Sequence, residues 1–309
     1  MISSDVILAF QINSVICFAL PLGLAVLLFI KGRRSVLLPM LAGAAAFVVS
    51  QFLLRLPLLN LLGQADWMRS LSANVWFSAI FAGLTAGLFE EFARFAGFQL
   101  LKYRRGWSDG VSFGVGHGGI EAILLVGLSN MNSVTVCRMI NNGEYEPYMR
   151  RLGRTDEEIA EGIRQFSALV PTEVLMGGLE RIFTMAIQIA LTLLVLYAVR
   201  SGKFRYIWLA IGLHTLVDAS VGILANAFGW TVYPLEAVIG VYAVLAVLFI
   251  FYSKRLLAPV DPKSTMAFLK LPDQPKPLTT EAQFEAAQKP DMPETLWKAD
   301  PSAKEEKDE

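Results

Sequence analysis

Glu90-Glu91-Phe92-Ala93-Arg94 stands in the middle of an apolar run, Asn74 to Leu101, long enough to cross a bilayer. A full charge at the bilayer centre costs about 2.5–3.5 kcal/mol on insertion scales, so such residues are usually turned inward, paired and used. Helical spacing puts Glu90 and Arg94 on one face at i,i+4, with the glutamate in the favourable leading position. Glu91 lies about 100° round the helix. The expectation is that Arg94 holds Glu90 and leaves Glu91 free to take a proton from water. A structural ion pair would account for one glutamate but not for two.

The sequence contains two histidines, and both fall in apolar runs. His117 is followed at i+4 by Glu121, and His214 at i+4 by Asp218. A carboxylate on the same helix face can orient an imidazole or help build a metal site. An imidazole so held can donate to a developing oxyanion. No Ser/His/Asp arrangement is expected, and no His-Glu-x-x-His pair occurs. Zinc ligands can still come from separate helices, and the candidate set is then Glu91, His117 and His214. Otherwise no cofactor is expected. Gly114, Gly116, Gly118 and Gly119 surround His117 inside a span, where they suit close helix packing better than phosphate binding.

These residues have to be positioned by membrane helices. The chain has 309 residues, of which 54% are hydrophobic and 17% charged. Its mean hydropathy is +0.49. The apolar residues come in long blocks, which predicts an all-α, polytopic membrane bundle of about seven transmembrane helices. A net charge of zero gives no reason to expect a nucleic-acid partner, and Cys17 and Cys137 alone make no disulfide framework. The start lacks a basic region and carries Asp5, so no cleavable signal is expected. Arg55 sits near the far end of the second run, where snorkelling would explain it.

Glu91 lies eleven residues before Lys102, His117 twelve after Arg105, His214 nine after Arg205, and Gln188 twelve before Arg200. At 1.5 Å per residue all four sit ~14–18 Å from the basic end of their helices. That is close to the midplane of a ~30 Å core. Glu180 and Arg181 lie about two turns further out, where a structural pair is the plain explanation. Eleven basic residues cluster at four helix ends on one side, against six in the loops opposite. The positive-inside rule then puts the N-terminus outside and the C-terminus in the cytoplasm of a bacterial plasma membrane. Residues 1–258 form the membrane domain, with an extracytoplasmic loop at 132–165 and a helix from Asp156 capped by Thr155 or Asp156. The last 51 residues hold eight of the fourteen prolines and eleven acids, which predicts a mostly disordered cytoplasmic tail with at most a short helix at Thr280–Gln288.

The motifs resemble those of the type II CAAX prenyl protease and bacteriocin-processing superfamily. Glu-Glu-x-x-x-Arg, Phe-x-x-x-His and His-x-x-x-Asn/Asp stand there on separate transmembrane helices. Glu90 to Arg94 is the variant with one fewer intervening residue; Phe113 to His117 and His214 to Asp218 match the other two. The continuation to Glu121, together with Glu180-Arg181, is most similar to the YhfC branch, described as glutamic-type, formerly metallo-type, intramembrane proteases. The resemblance implies that the glutamate pair activates water, while His117, His214 and Asp218 handle the oxyanion and protons. It also implies a membrane protein or peptide as substrate. Where this chain has Gln188 the branch carries a histidine, a difference that weighs against zinc and leaves room for a degenerate member. The expected activity is therefore cleavage of peptide bonds in or near the membrane. The alternative is a non-enzymatic scaffold, immunity factor or small-solute carrier. The sequence says nothing about oligomeric state.

Overall fold

The structure is a computed structural model and describes residues 1–32 and 36–258. Arg33, Arg34 and the expected tail, with its helix at Thr280–Gln288, lie outside the described residues. The described chain is helical and holds no strand. The long helices are α1 (Ser4–Gly32), α2 (Leu37–Gly63), α4 (Val75–Leu100), α5 (Trp107–Asn142), α8 (Pro171–Ser201), α9 (Arg205–Asn226) and α10 (Val232–Leu256). Three short ones, α3 (Asp66–Ser72), α6 (Tyr145–Arg151) and α7 (Asp156–Ser167), lie in the connections. All seven long helices have the length and apolar character to cross a membrane, as the run lengths predict.

Local chemistry sets the helix ends. Asn74 Oδ1 accepts from the backbone N–H of Trp76 at 2.9 Å and of Phe77 at 3.1 Å, which starts α4. Asp109 Oδ2 accepts from Gly106 N at 2.9 Å at the head of α5. Thr155 and Glu158 form the reciprocal capping box that opens α7, so Thr155 is the cap. Gly143 and Gly202 adopt left-handed φ of 76° and 66° and stop α5 and α8.

One boundary differs from the expectation. The span beginning near Val111 does not end at Met131, because α5 continues to Asn142 and takes the first third of the expected loop. Two of its hydroxyls are satisfied on the helix itself, Ser133 Oγ donating to Ser129 O at 3.1 Å and Thr135 Oγ1 to Met131 O at 3.2 Å, and Asn141 exchanges hydrogen bonds with the backbone of Ile2. Cys137 is buried against Ile2 and Val6 of the N-terminal segment, which anchors the extension. Two helices also change pitch in mid-span. Val49–Arg55 in α2 and Ala122–Gly127 in α5 are π-helical, a geometry that appears in short stretches, often at functional sites.

The helix ends sort into two groups. At the basic end, Arg200 Nη1 of α8 donates to Leu257 O at 2.6 Å, and Trp107 Nε1 of α5 to Ser253 Oγ of α10 at 3.0 Å. At the other end, Trp76 of α4 meets Phe228 just beyond α9, and the Thr172 and Tyr233 hydroxyls of α8 and α10 are 2.8 Å apart. The helix α8 runs through the middle, burying Leu193, Val195 and Leu196 completely against Phe113, Ile207 and their neighbours. Leu41, Leu53, Val244 and Leu248 point outward, as lipid-facing side chains do.

Candidate active site

Close helix approach brings the polar residues together. A Cβ on Gly43 of α2 would overlap Phe113 O, and one on Gly116 of α5 would overlap Met40 O, so α2 and α5 touch backbone to backbone. On α4, a Cβ at Gly83 would lie 2.9 Å from Thr215 O and one at Gly87 3.0 Å from Ile211 O, which lets α9 seat equally close. The glycines round His117 are therefore packing residues, as expected. The two contacts carry His117 and His214 to the glutamate pair.

Arg94 is the centre of the cluster and has no exposed surface. Its guanidinium donates from Nη1 to Glu91 Oε1, and from Nη2 to Glu90 Oε2 at 3.3 Å and to Gln188 Oε1. His117 Nε2 lies 2.9 Å from Glu90 Oε2, and His214 Nδ1 lies 2.7 Å from Glu91 Oε1. With ionised carboxylates as acceptors, both imidazoles donate. The remaining nitrogen of His214, Nε2, faces Asp218 Oδ2 at 3.6 Å and Glu90 Oε2 at 3.9 Å. Phe47 sets its edge against the His117 ring, with centroids 5.2 Å apart. Five charged or titratable groups from three helices thus sit within one hydrogen-bonded unit.

The division of labour between the glutamates is not the expected one. Arg94 does not choose Glu90 and leave Glu91 free; its fork reaches both, i+3 as well as i+4. Glu91 is fully buried between Arg94 and His214. Glu90 instead stands on the wall of a cavity of about 320 Å³, with His214 beside it. The i+4 carboxylates also divide. Asp218 approaches its histidine, but Glu121 turns from His117 and accepts from Gln188 Nε2 at 2.7 Å and Arg181 Nη1 at 3.4 Å. Gln188 lies at the level expected and links Arg94 to Glu121. Arg181 pairs with its neighbour Glu180, so these two extend the network along the cavity wall.

Two functional side chains escaped the sequence reading. Gln51 Nε2 of α2 donates to Glu90 Oε1 at 2.6 Å, and Gln51 Oε1 accepts from Arg55 Nη1 at 3.0 Å. Arg55 does not snorkel: it also donates to Thr85 Oγ1 at 3.1 Å and Ala82 O at 2.8 Å and lines the cavity. Both sit on the π-helical stretch of α2. An amide inside a span was the available signal.

A zinc ion needs three or more ligands about 2.0–2.3 Å from a common point. No group of three or more His, Cys, Asp and Glu side chains among the described residues is arranged to hold one. Arg94 explains why, since its guanidinium carries a permanent charge and donates to both glutamates. The imidazole nitrogens nearest them, His117 Nε2 and His214 Nδ1, are already bonded to carboxylate oxygens. As arranged, Glu91, His117 and His214 do not fit a metal.

A protein of Bacillus subtilis strain 168 described as "Uncharacterized membrane protein YhfC" is 29% identical over 257 residues, covering 83% of this chain and 99% of its own. No solved structure matches the chain. The model of the family described as YhfC intramembrane metalloprotease matches residues 16–243, which include every side chain of the cluster. The chain therefore belongs to the YhfC intramembrane metalloprotease family and is a multi-pass integral membrane protein.

Proposed function

We propose that this protein is an intramembrane endopeptidase in which Glu90 activates the attacking water. The observation that carries the reading is that Glu90 alone of the buried pair stands on the cavity wall, opposite His214 Nε2. Hydrogen bonds from Gln51, Arg94 and His117 hold its carboxylate ionised and fixed in direction. A water between Glu90 and a substrate carbonyl would give its proton to the carboxylate as its oxygen bonds to the carbonyl carbon. His214, held through Nδ1 by Glu91, would present Nε2–H to the oxyanion, with Asp218 behind it balancing the charge. The proton on Glu90 then passes to the amide nitrogen, the C–N bond breaks, and an amine and a carboxylate leave. Arg94 and Glu91 act through the others as positioning residues.

The family's description names a metalloprotease, which favours zinc as a second reading. The donor arrangement favours glutamate acting without it, and no step above needs a metal. The test is to compare the new protein ends in membranes of cells producing the wild type or Glu90→Gln by terminal-peptide mass spectrometry. Ends that depend on Glu90 support the peptidase. Identical end profiles, with both proteins folded and inserted, favour the scaffold or carrier instead.

A further inference from the structure

The polar lining of the cavity beside Glu90 extends in one direction. Its wall includes Arg55, Ala82, Leu125, Glu180 and Val221, from five different helices. Arg55 follows Gln51 on α2, Leu125 follows His117 on α5, and Val221 follows His214 on α9; these helices run away from their basic starts. Ala82 precedes Glu90 on α4 and Glu180 precedes Gln188 on α8; these two run towards basic ends. All five positions therefore lie on the side of the cluster away from the basic residues. Side chains on that side are more exposed than the glutamates, at 11% for Arg181, 14% for Glu121, 33% for Glu180 and 43% for Asp218 against 0% and 6% for Glu91 and Glu90. Partly exposed charged side chains within a span belong to a hydrated passage, because lipid would leave them unsolvated.

The other side of the cluster is closed by different chemistry. A second cavity of about 330 Å³ shares Ile187, Leu191 and Val217 with the first and continues towards the basic ends. Leu194, Leu213 and Phe249 bound it, and no charged residue lines it. Its one polar side chain is Tyr242, whose hydroxyl is 3.1 Å from Ser220 Oγ, so water finds little to bond there.

We infer that the polar cavity is a hydrated vestibule open only on the membrane face opposite the basic clusters, which is the outer face by the positive-inside rule. Resting on the proposed hydrolysis, water enters and the hydrophilic part of the cut chain leaves by that face. A substrate must then carry its scissile bond on the outer side of its apolar stretch. The wall holds Glu90, Glu121, Glu180 and Asp218 against Arg55, Arg181 and the doubly protonated His214 of the proposed step, an excess of one acid, so the vestibule admits cationic solutes somewhat better than anionic ones.

Thiol labelling tests this without any substrate. Val221→Cys and Thr184→Cys place a thiol on the vestibule wall from two helices, outside the proposed catalytic set. Leu213→Cys places one in the apolar cavity. Glu157→Cys on α7 and Lys203→Cys between α8 and α9 mark the two faces, and the wild type with buried Cys17 and Cys137 sets the background. Sealed vesicles of both orientations are treated with membrane-impermeant cationic and anionic methanethiosulfonates. The expected result is labelling of Val221→Cys and Thr184→Cys from the same side as Glu157→Cys, faster with the cationic reagent, and loss of labelling from the Lys203→Cys side. Leu213→Cys stays at background from both. Labelling of the vestibule thiols from the Lys203→Cys side, from both sides, or from neither in folded protein overturns the inference. A closed vestibule leaves the peptidase reading standing, and an open one is compatible with its failure.

Discussion

At the scale of the residue, the two glutamates are adjacent in sequence and separated in role by which wall they face. Glu90→Gln keeps the shape of the side chain and its contact with Gln51, but removes the proton acceptor on the cavity wall. It is expected to insert and fold while losing 10²–10⁴-fold in turnover, as loss of a general base does, roughly. Glu91→Gln leaves Arg94 one carboxylate instead of two and takes the charged acceptor from His214 in a site with no solvent, and breaking a buried pair costs up to about 3–5 kcal/mol. Its expected signature is a lowered unfolding temperature in detergent. The charged cluster was legible because each charge interrupts an apolar run, and their equal depth followed from counting residues to the basic ends. Which glutamate faces the cavity was not legible, since an arginine reaches i−3 and i−4 alike. Gln51 was missed because an amide interrupts an apolar run less conspicuously than a charge. At this scale the metal question is also open to measurement. Turnover is expected to survive strong chelators, and stoichiometric zinc whose removal abolishes turnover would contradict that.

At the scale of the element, the site depends on helices meeting at glycine. Gly116→Leu would drive a side chain into the backbone carbonyl of Met40 and separate α2 from α5. That overpacking costs about 1–3 kcal/mol or more, so the variant should unfold at lower temperature and lose the His117–Glu90 contact. Gly23, which has no neighbour within 4 Å, is the control, and Gly23→Ala should leave the unfolding temperature almost unchanged. The seven long helices were legible from run length, and the Thr155 cap from the Thr-x-x-Glu spacing. The continuation of α5 to Asn142 was not, because serine and threonine read as loop residues until their hydroxyls are seen to bond back to the helix. Nor do the π-helical stretches have a sequence signature. The stretch in α2 carries Gln51 and Arg55, whose hydrogen bonds run across the bundle to Glu90 and Thr85.

At the scale of the molecule, a polar cavity that holds Glu90 and an apolar cavity share Ile187, Leu191 and Val217. The long helices alternate in direction, so a single cysteine at Glu157 should be labelled from outside intact cells and one at Lys203 should not. Labelling of Lys203→Cys from outside would reverse the proposed orientation. The central claim is that Glu90, rather than Glu91, is the group that activates water. The most direct measurement takes a peptide whose cleavage is found in the membrane end profiles and follows it with purified protein in vesicles. Single-turnover rates and unfolding temperatures are recorded for the wild type, Glu90→Gln and Glu91→Gln. The account predicts that Glu90→Gln remains folded and does not cleave, while Glu91→Gln still cleaves and its principal defect is in stability. A folded Glu90→Gln that cleaves at the wild-type rate would contradict it.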